Sequence, residues 1–150
     1  MRLLDVLSED VVKVGLESEE KDEVIAELVE LLVRAGKLTD RSRAIRAIEE
    51  RERMGTTGIG RGVAIPHGKD RSVTKLTAAL GISSNGIEFD AMDNQPVFVV
   101  FLVLAEPDNP GPHVQCLAEI TRLLQVPGFY KRLIGARTSK EALDIIRGEE

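Results

Sequence analysis

Hydrophobic residues recur at helical spacing near the start of the chain. They share one face of a helix at Val24, Leu28, Leu31, Leu32 and Ala35. Ser18 is predicted to cap this helix, because its hydroxyl suits the free amides of a first turn that carries Glu19 and Glu20. Gly36 is predicted to end it.

Two longer helices are predicted further along. One runs from Asp40 to about Met54, and another begins at Gly111-Pro112, where Pro112 suits the first helical position because its missing N–H costs little there. The buried stripe of the later helix is predicted to continue through Leu117, Ile120 and Leu124.

Two shorter helices are predicted near the end of the chain. The first covers Gly128 to Arg137. The second covers Ser139 to Ile146, and it is opened by a capping box that Thr138 forms with Glu141.

Strand patterns lie between these helices. They are predicted at Val63 to Ile65, Leu76 to Ile82 and Val97 to Leu104. The last is apolar on both faces, which is typical of a central strand covered by helices. Interspersed strands and helices predict an α/β sandwich.

Composition narrows the class of protein. A chain of 150 residues with 43% hydrophobic residues is expected to form one domain over residues 1–150. A net charge of −5 argues against a duplex nucleic-acid binder, which would need clustered cations to neutralise phosphates. The arginines between 41 and 53 are interleaved with glutamates and are expected to lie on a solvated helix face.

The single cysteine and the hydropathy pattern suggest a location. Cys116 excludes an internal disulfide, fits a reducing compartment, and is interpreted as a small helix residue near the core. The longest apolar stretch, Val97 to Ala105, is too short to span a bilayer. We therefore expect a cytoplasmic protein without direct membrane insertion.

The segment most suggestive of chemistry is RERMGTTGIGRGVAIPHGK, Arg51 to Lys69, which delivers one of the two histidines, His67. The free nitrogen of an imidazole is nucleophilic near neutral pH and can attack phosphorus. Pro66 restricts the backbone, so His67 is expected where a strand ends and leaves the sheet. Gly68 is expected to remove a side chain that would crowd an incoming group. The structural alternative is a histidine in a turn.

Arg51 is the first candidate partner of His67. It follows Ala44 and Ile48 on the inward-facing stripe of its helix. The solvent-facing side of the helix carries Arg46, Glu49, Glu50 and Arg53. Guanidinium binds phosphate oxygens with a planar fork of donors. The alternative role is a cation at the negative end of its helix.

The glycine-rich loop is a weaker candidate for phosphate binding. Thr56, Thr57 and Gly58, together with Gly68, offer amides and hydroxyls to phosphoryl oxygens. The loop matches neither the Walker pattern nor the dinucleotide G-x-G-x-x-G spacing, so no nucleotide cofactor is expected.

His113 is placed in the first turn of its helix, at the top of the inward stripe. A positive helix end discourages protonation, which leaves a neutral imidazole able to donate one hydrogen bond to an anion. The alternatives are a histidine packed on the core, or a metal site in which His67 and His113 join Asp90 or Asp93. The histidines lack close ligand spacing, and turn formation explains both aspartates, so no metal is expected.

Taken together, R-E-x-x-x-T-T-G-I-G-x-G-V-A-I-P-H-G-K, His113 and F-D-A-M-D-N-Q-P-V resemble the type-2 enzyme IIA domain of the bacterial phosphotransferase system. The resemblance covers essentially the whole chain. It implies a mixed sheet with helices on both sides, phosphorylation of His67 by the phosphocarrier HPr or its nitrogen-branch counterpart, and support of the phosphoryl group by Arg51 and His113. The family usually has Ser-Thr where this chain has Thr56-Thr57, which keeps a hydroxyl.

The resemblance leaves two functions open. One is a phosphoryl relay that passes phosphate to a IIB domain and so to a sugar, with fructose-type uptake as the first hypothesis. The other is a nitrogen-regulatory IIA protein that binds its targets according to its phosphorylation state. Neither needs a cofactor, because the donor arrives already activated as a phosphohistidine.

Overall fold

The computed structural model describes all residues from Met1 to Glu150. Its sheet has six strands in the order β1-β5-β6-β3-β2, with β4 also paired to β6. The strands are β1 Val12–Val14, β2 Gly58–Gly60, β3 Val63–Ala64, β4 His67–Lys69, β5 Thr77–Ile87 and β6 Val97–Ala105. The helices are α1 Lys21–Arg34, α2 Arg41–Arg53, α3 Pro110–Leu124, α4 Phe129–Ile134 and α5 Ser139–Arg147, with short 3-10 turns at Leu3–Asp5 and Glu9–Val11. Parallel and antiparallel pairs coexist, so the expected mixed sheet is confirmed.

The central place predicted for Val97 to Leu104 is confirmed. Strand β6 pairs antiparallel with β5 and parallel with β3 and β4, and all of its residues except Phe98 are buried. Strand β5 runs to Ile87, beyond the predicted Ile82. Polar residues at 83–85 interrupt its apolar pattern there, and the Ser83 hydroxyl accepts a hydrogen bond from Gly86 N–H at 2.9 Å.

The strand around His67 differs from the prediction. Strand β3 ends at Ala64, and pairing with β6 resumes after Pro66, where His67 lies opposite Val103. The Pro66 carbonyl accepts from Val103 N–H at 3.0 Å, so the chain stays attached to the sheet across the proline. The expectation that His67 leaves the sheet at a strand end is therefore wrong, because His67 begins the short strand β4.

The start of α1 also differs from the sequence prediction. Ser18 does not cap it, because its hydroxyl donates to Glu27 Oε1 at 2.7 Å, and the helix begins at Lys21. The first residue of the helix is instead bound to the segment after β5: Lys21 N–H donates to the Glu88 carbonyl at 3.1 Å. The predicted end is confirmed: Gly36 follows the helix with φ of +74°, a conformation that glycine adopts without strain.

The predictions for α2 and α3 are confirmed in part. The start of α2 is confirmed, since the Asp40 side chain accepts from Arg43 N–H at 3.1 Å. Helix α3 begins at Pro110, so Pro112 is not its first residue. Its buried residues are His113, Cys116, Ile120 and Leu123, whereas the predicted stripe positions Leu117 and Leu124 are only partly buried.

The last two helices are close to their predicted places. Helix α4 is shorter than Gly128–Arg137 because Gly135 already caps it. At the start of α5, Thr138 Oγ1 accepts from Glu141 N–H at 3.1 Å as predicted. The Glu141 carboxylate, however, accepts from Arg137 N–H at 2.8 Å, so the reciprocal half of the capping box is wrong.

The helices cover both faces of the sheet at β4. A Cβ on Gly68 would lie 2.8 Å from the carbonyl carbon of Ala47, so that face packs directly on the α2 backbone. Because side chains alternate along a strand, His67 projects from the other face, where it meets His113 of α3. A cluster of 40 buried residues fills the interior. No helix has the length and hydropathy that a membrane crossing requires.

We predict that Gly68→Ala destabilises the protein by about 1 to 3 kcal/mol, because the added methyl would force the α2 backbone away from β4. Denaturant unfolding measures this. The control is Gly111→Ala, since the methyl group it would add has no atom within 4 Å apart from its chain neighbours and the backbone of its own helix. Equal free energies of unfolding for the two variants would contradict the close approach.

Candidate active site

His67 is held in one orientation by its own backbone. Its Nδ1 lies 2.8 Å from the carbonyl oxygen of Ile65, two residues earlier. A carbonyl only accepts hydrogen bonds, so Nδ1 carries the proton and Nε2 keeps the lone pair. Nε2 has no hydrogen-bond partner and is not sealed from solvent. The half-buried ring therefore presents an available nucleophilic nitrogen.

His113 reaches the same place from α3. Its ring centroid lies 5.3 Å from that of His67, at an interplanar angle of 66°. The side chain is buried, with a residue exposure of 6%, and its Nε2 has no hydrogen-bond partner. A buried polar atom without a partner is uncommon, and it is a candidate contact for a ligand.

Arg51 comes to the site from the last turn of α2. Ala44 and Ile48 of the same stripe are buried and Arg51 is half-buried, which agrees with the predicted face. Its Nη1 donates to the carbonyl of Gly55 at 2.9 Å, so the arginine also serves the end of its helix. The remaining donors of the guanidinium have no protein partner.

These side chains share one cleft of about 410 Å³. It is lined by Ala47, Glu50 and Arg51 of α2, by Met54 just after this helix, by the β4 residues 67–69, and by His113. The structure thus brings together the three residues that sequence reasoning singled out for chemistry. Gly68 has another role than the one expected, because its missing side chain makes room for α2 and not for an incoming group.

The loop residues are engaged elsewhere. Thr57 is buried, and its amide and hydroxyl both donate to the Glu52 carboxylate, with the amide at 3.1 Å. The Thr56 hydroxyl donates to Phe89 O at 3.2 Å and accepts from Gly58 N–H at 3.0 Å. None of the three residues lines the cleft. These hydrogen bonds give the three residues a role in ordering the loop, and phosphate binding by them stays a prediction.

Glu52 is the residue that sequence reasoning missed. Its carboxylate is almost buried and pairs with Lys21 Nζ at 3.0 Å, while it also accepts from Thr57. It thereby ties α1, the end of α2 and the loop together beside Arg51. No local pattern signals this role, because Glu52 lies in a run of charged residues that resembles a solvated helix face.

The aspartates of the metal hypothesis serve the loop instead. Asp90 lies 3.7 Å from Lys21 Nζ, and Asp93 accepts from the amides of Arg61 and Gln95 at 2.9 and 3.1 Å. No group of three or more His, Cys, Asp or Glu side chains has a spacing that could hold a metal ion.

The cleft favours neutral imidazoles. Burial lowers the pKa of His67 below its usual 6.5, and the positive charges of Arg51 and Lys69 lower it further. The hydrogen bond to Ile65 and the charge of Glu52 partly oppose this shift of the His67 pKa. Burial, then the charges of His67 and Lys69, lower the pKa of His113 to about 4. Both rings therefore favour the neutral form at neutral pH, with one proton on each imidazole.

We predict that His113 makes the protein sensitive to mild acid. The unfolded chain binds a proton near pH 6.5 and the folded protein only near pH 4, so the free energy of unfolding falls as the pH drops between these values. The His113 contribution to this fall is on the order of 3 kcal/mol. His113→Gln should remove that part of the fall, as measured by denaturant unfolding at several pH values. Identical pH profiles for the two proteins, or an imidazole that titrates near 6.5 by NMR, would contradict the burial of His113.

Comparison with known proteins gives this geometry a context. A family model described as the phosphoenolpyruvate-dependent sugar phosphotransferase system, EIIA 2, matches residues 5–149. The fructose-specific EIIABC component of Bacillus subtilis is 37% identical over 146 residues, which cover 97% of this chain and 23% of that much longer protein. A nitrogen regulatory protein of Bradyrhizobium diazoefficiens is 32% identical over 148 residues, covering 97% of this chain and 95% of that protein.

Solved structures show the same fold. The nitrogen regulatory protein IIA-Ntr of Neisseria meningitidis superposes with a TM-score of 0.88 at 26% identity, covering 96% of this chain and 98% of that one. The mannitol enzyme IIA of Escherichia coli, solved in complex with its phosphorylated enzyme IIB, gives a TM-score of 0.81 at 22% identity over 95% of this chain and 97% of that one. The resemblance found in the sequence is confirmed, and the chain belongs to the EIIA 2 family of the phosphoenolpyruvate-dependent sugar phosphotransferase system.

Proposed function

We propose that His67 accepts a phosphoryl group from an HPr-like phosphocarrier protein and passes it to a second protein. The observation that carries this proposal is the hydrogen bond from His67 Nδ1 to Ile65 O at 2.8 Å. It places the lone pair on Nε2, which lies in a cleft that also holds a cation. The nucleophile is therefore oriented before a donor arrives.

In the transfer step only His67 forms a covalent bond, and the other residues of the cleft contribute by electrostatic stabilisation. The Nε2 lone pair forms a bond to phosphorus while the bond between phosphorus and the donor imidazole breaks, and the donor keeps that electron pair. Negative charge spreads over the three equatorial oxygens in the transition state. The free donors of Arg51 are in position to stabilise that charge, and His113 is the second candidate contact.

Exposed apolar side chains at the cleft suit a protein partner. Met54 lines the cleft and is 82% exposed, and Val114, the residue after His113, is 63% exposed. A large phosphorylated protein must bring its imidazole against His67, and such side chains offer apolar contact around the transfer site. The net charge of −5 gives no support to a nucleic-acid partner.

The acceptor defines two candidate functions. A relay to a IIB domain for fructose-type sugar uptake is supported by the Bacillus relative, whose fructose-specific name accompanies 37% identity. Regulation of target proteins by phosphorylation state is supported by the Bradyrhizobium and Neisseria proteins, which match over nearly their full lengths. In either function, we propose that residues 1–150 act as one unit in the cytoplasm.

We predict that phosphoenolpyruvate, enzyme I and an HPr-like donor label one site on the protein. The label should be acid-labile, attached to Nε2 because Nδ1 is engaged by Ile65, and absent from His67→Ala. Radiolabelling measures the yield, and phosphorus NMR identifies the nitrogen. Label that survives the His67 substitution would move the chemistry elsewhere, and attachment at Nδ1 would refute the proposed orientation.

We predict that Arg51→Gln slows phosphoryl uptake by about tenfold to a hundredfold, because the transition state loses a charged donor. Arg53→Gln is the matched control, since Arg53 lies in the same last turn of α2 but does not line the cleft. Rapid-quench measurement of phosphoprotein formation compares the two. Equal rates for both variants would reduce Arg51 to a helix-end cation bound to Gly55.

The two candidate functions separate in a second assay. Phosphorylated protein is mixed with a fructose-type IIB domain, and the label on each protein is followed over time. Rapid transfer supports the relay, whereas label that stays on His67, with a partner bound in only one phosphorylation state, supports regulation.

A further inference from the structure

We propose that Lys69 is a further phosphoryl-binding residue of the cleft, whose ammonium group contacts the oxygens of the phosphoryl group on His67. This assignment rests on the proposed function of His67. It is carried by the position of Lys69 on strand β4, by the absence of any partner for its ammonium group, and by the charge of the expected ligand.

The strand places the two side chains next to each other. Pairing with β6 runs without interruption from His67 opposite Val103 to Lys69 opposite Ala105. Side chains alternate along a regular strand, so residues 67 and 69 project from one face, while Gly68 between them faces α2. Successive residues on one face are about 7 Å apart, a gap that the four-carbon stem of a lysine can span.

Lys69 is a free cation at this position. Its exposed ammonium group makes no hydrogen bond or salt bridge in the structure, whereas Lys21 is paired with Glu52 and Arg43 with Asp70. The carboxylate that shares the cleft with it belongs to Glu50, which also makes no salt bridge. The charge of Lys69 nevertheless reaches both imidazoles, since it contributes to the lowered pKa values of His67 and His113.

Charge balance indicates what this cation is for. A phosphoryl group on an imidazole brings close to two negative charges into the cleft. Arg51 supplies one positive charge, and His113 is neutral at ordinary pH because its pKa is about 4. Lys69 supplies the second positive charge, which matters the more because the Glu50 carboxylate lines the same cleft. The same side chain could instead bind an acidic group of a docking protein, and an experiment on the isolated phosphoprotein distinguishes the two roles.

The test compares isolated, phosphorylated wild-type protein with Lys69→Gln, Lys69→Arg and Lys75→Gln. Lys75 is the matched control, because it is an exposed lysine that lines a separate cleft. Phosphorus NMR, recorded as the pH is lowered from the alkaline side through about 6 and within the lifetime of the acid-labile phosphohistidine, gives the second pKa of the phosphoryl group. The equilibrium fraction of phosphoprotein against a fixed donor ratio gives the stability of the phosphorylated state.

We expect Lys69→Gln to raise the second pKa of the phosphoryl group by about half a unit to one unit, and to shift the transfer equilibrium about threefold to tenfold toward the donor. Lys69→Arg should restore both values, and Lys75→Gln should change neither.

Several results would overturn the assignment. Unchanged values in Lys69→Gln would remove Lys69 from the phosphoryl site and leave His67 untouched. A defect confined to the rate with the donor protein, with normal values in the isolated phosphoprotein, would make Lys69 a docking residue instead. Failure of the wild-type protein to take up phosphate at all would refute the proposed function, and the Lys69 assignment with it.

Discussion

The hydrogen bond from His67 Nδ1 to the carbonyl of Ile65 is the contact on which the rest of the site depends. It closes over Pro66, whose ring limits the backbone between the two partners. Strand β6 holds this segment, because Val103 N–H donates to the Pro66 carbonyl at 3.0 Å and Val103 lies opposite His67. A buried central strand thereby fixes the orientation of a half-exposed imidazole, and the nitrogen that faces the cleft is the one with the lone pair.

The positive charges in the cleft favour the proposed phosphorylation at two stages: they favour a neutral His67 before the transfer, and they would stabilise the phosphoryl group after it. Burial, together with the charges of Arg51 and Lys69, lowers the pKa of His67 and so favours the neutral, nucleophilic ring. Once a phosphoryl group is attached, the same cations would face close to two negative charges. A phosphoryl oxygen would also offer a partner to the buried Nε2 of His113, which has none in the unphosphorylated protein. The cost of leaving that atom unpaired, about 1–3 kcal/mol, would then favour the loaded state.

The sequence predicted those features that local chemistry decides. The stripe of Ala44 and Ile48 was predicted correctly within α2, and the unbroken apolar run of β6 identified the central strand. The helical stripe placed Arg51 at the site. Features that depend on a particular side-chain or strand partner in the fold were missed: Ser18 binds Glu27 instead of capping α1, and Thr57 binds Glu52 instead of facing the cleft. The short strands β1, β2 and β4 were missed for the same reason, since three residues form a strand only where a neighbouring strand offers its hydrogen bonds.

The most direct test of the central claim is the tautomer of His67 in the unphosphorylated protein at neutral pH. Nitrogen-15 NMR of the imidazole ring reads it without donor or acceptor proteins. A proton on Nδ1 and an unprotonated Nε2 are predicted from the Ile65 contact. A proton on Nε2, or an equal mixture of the two tautomers, would contradict the claim that the backbone orients the nucleophile in advance.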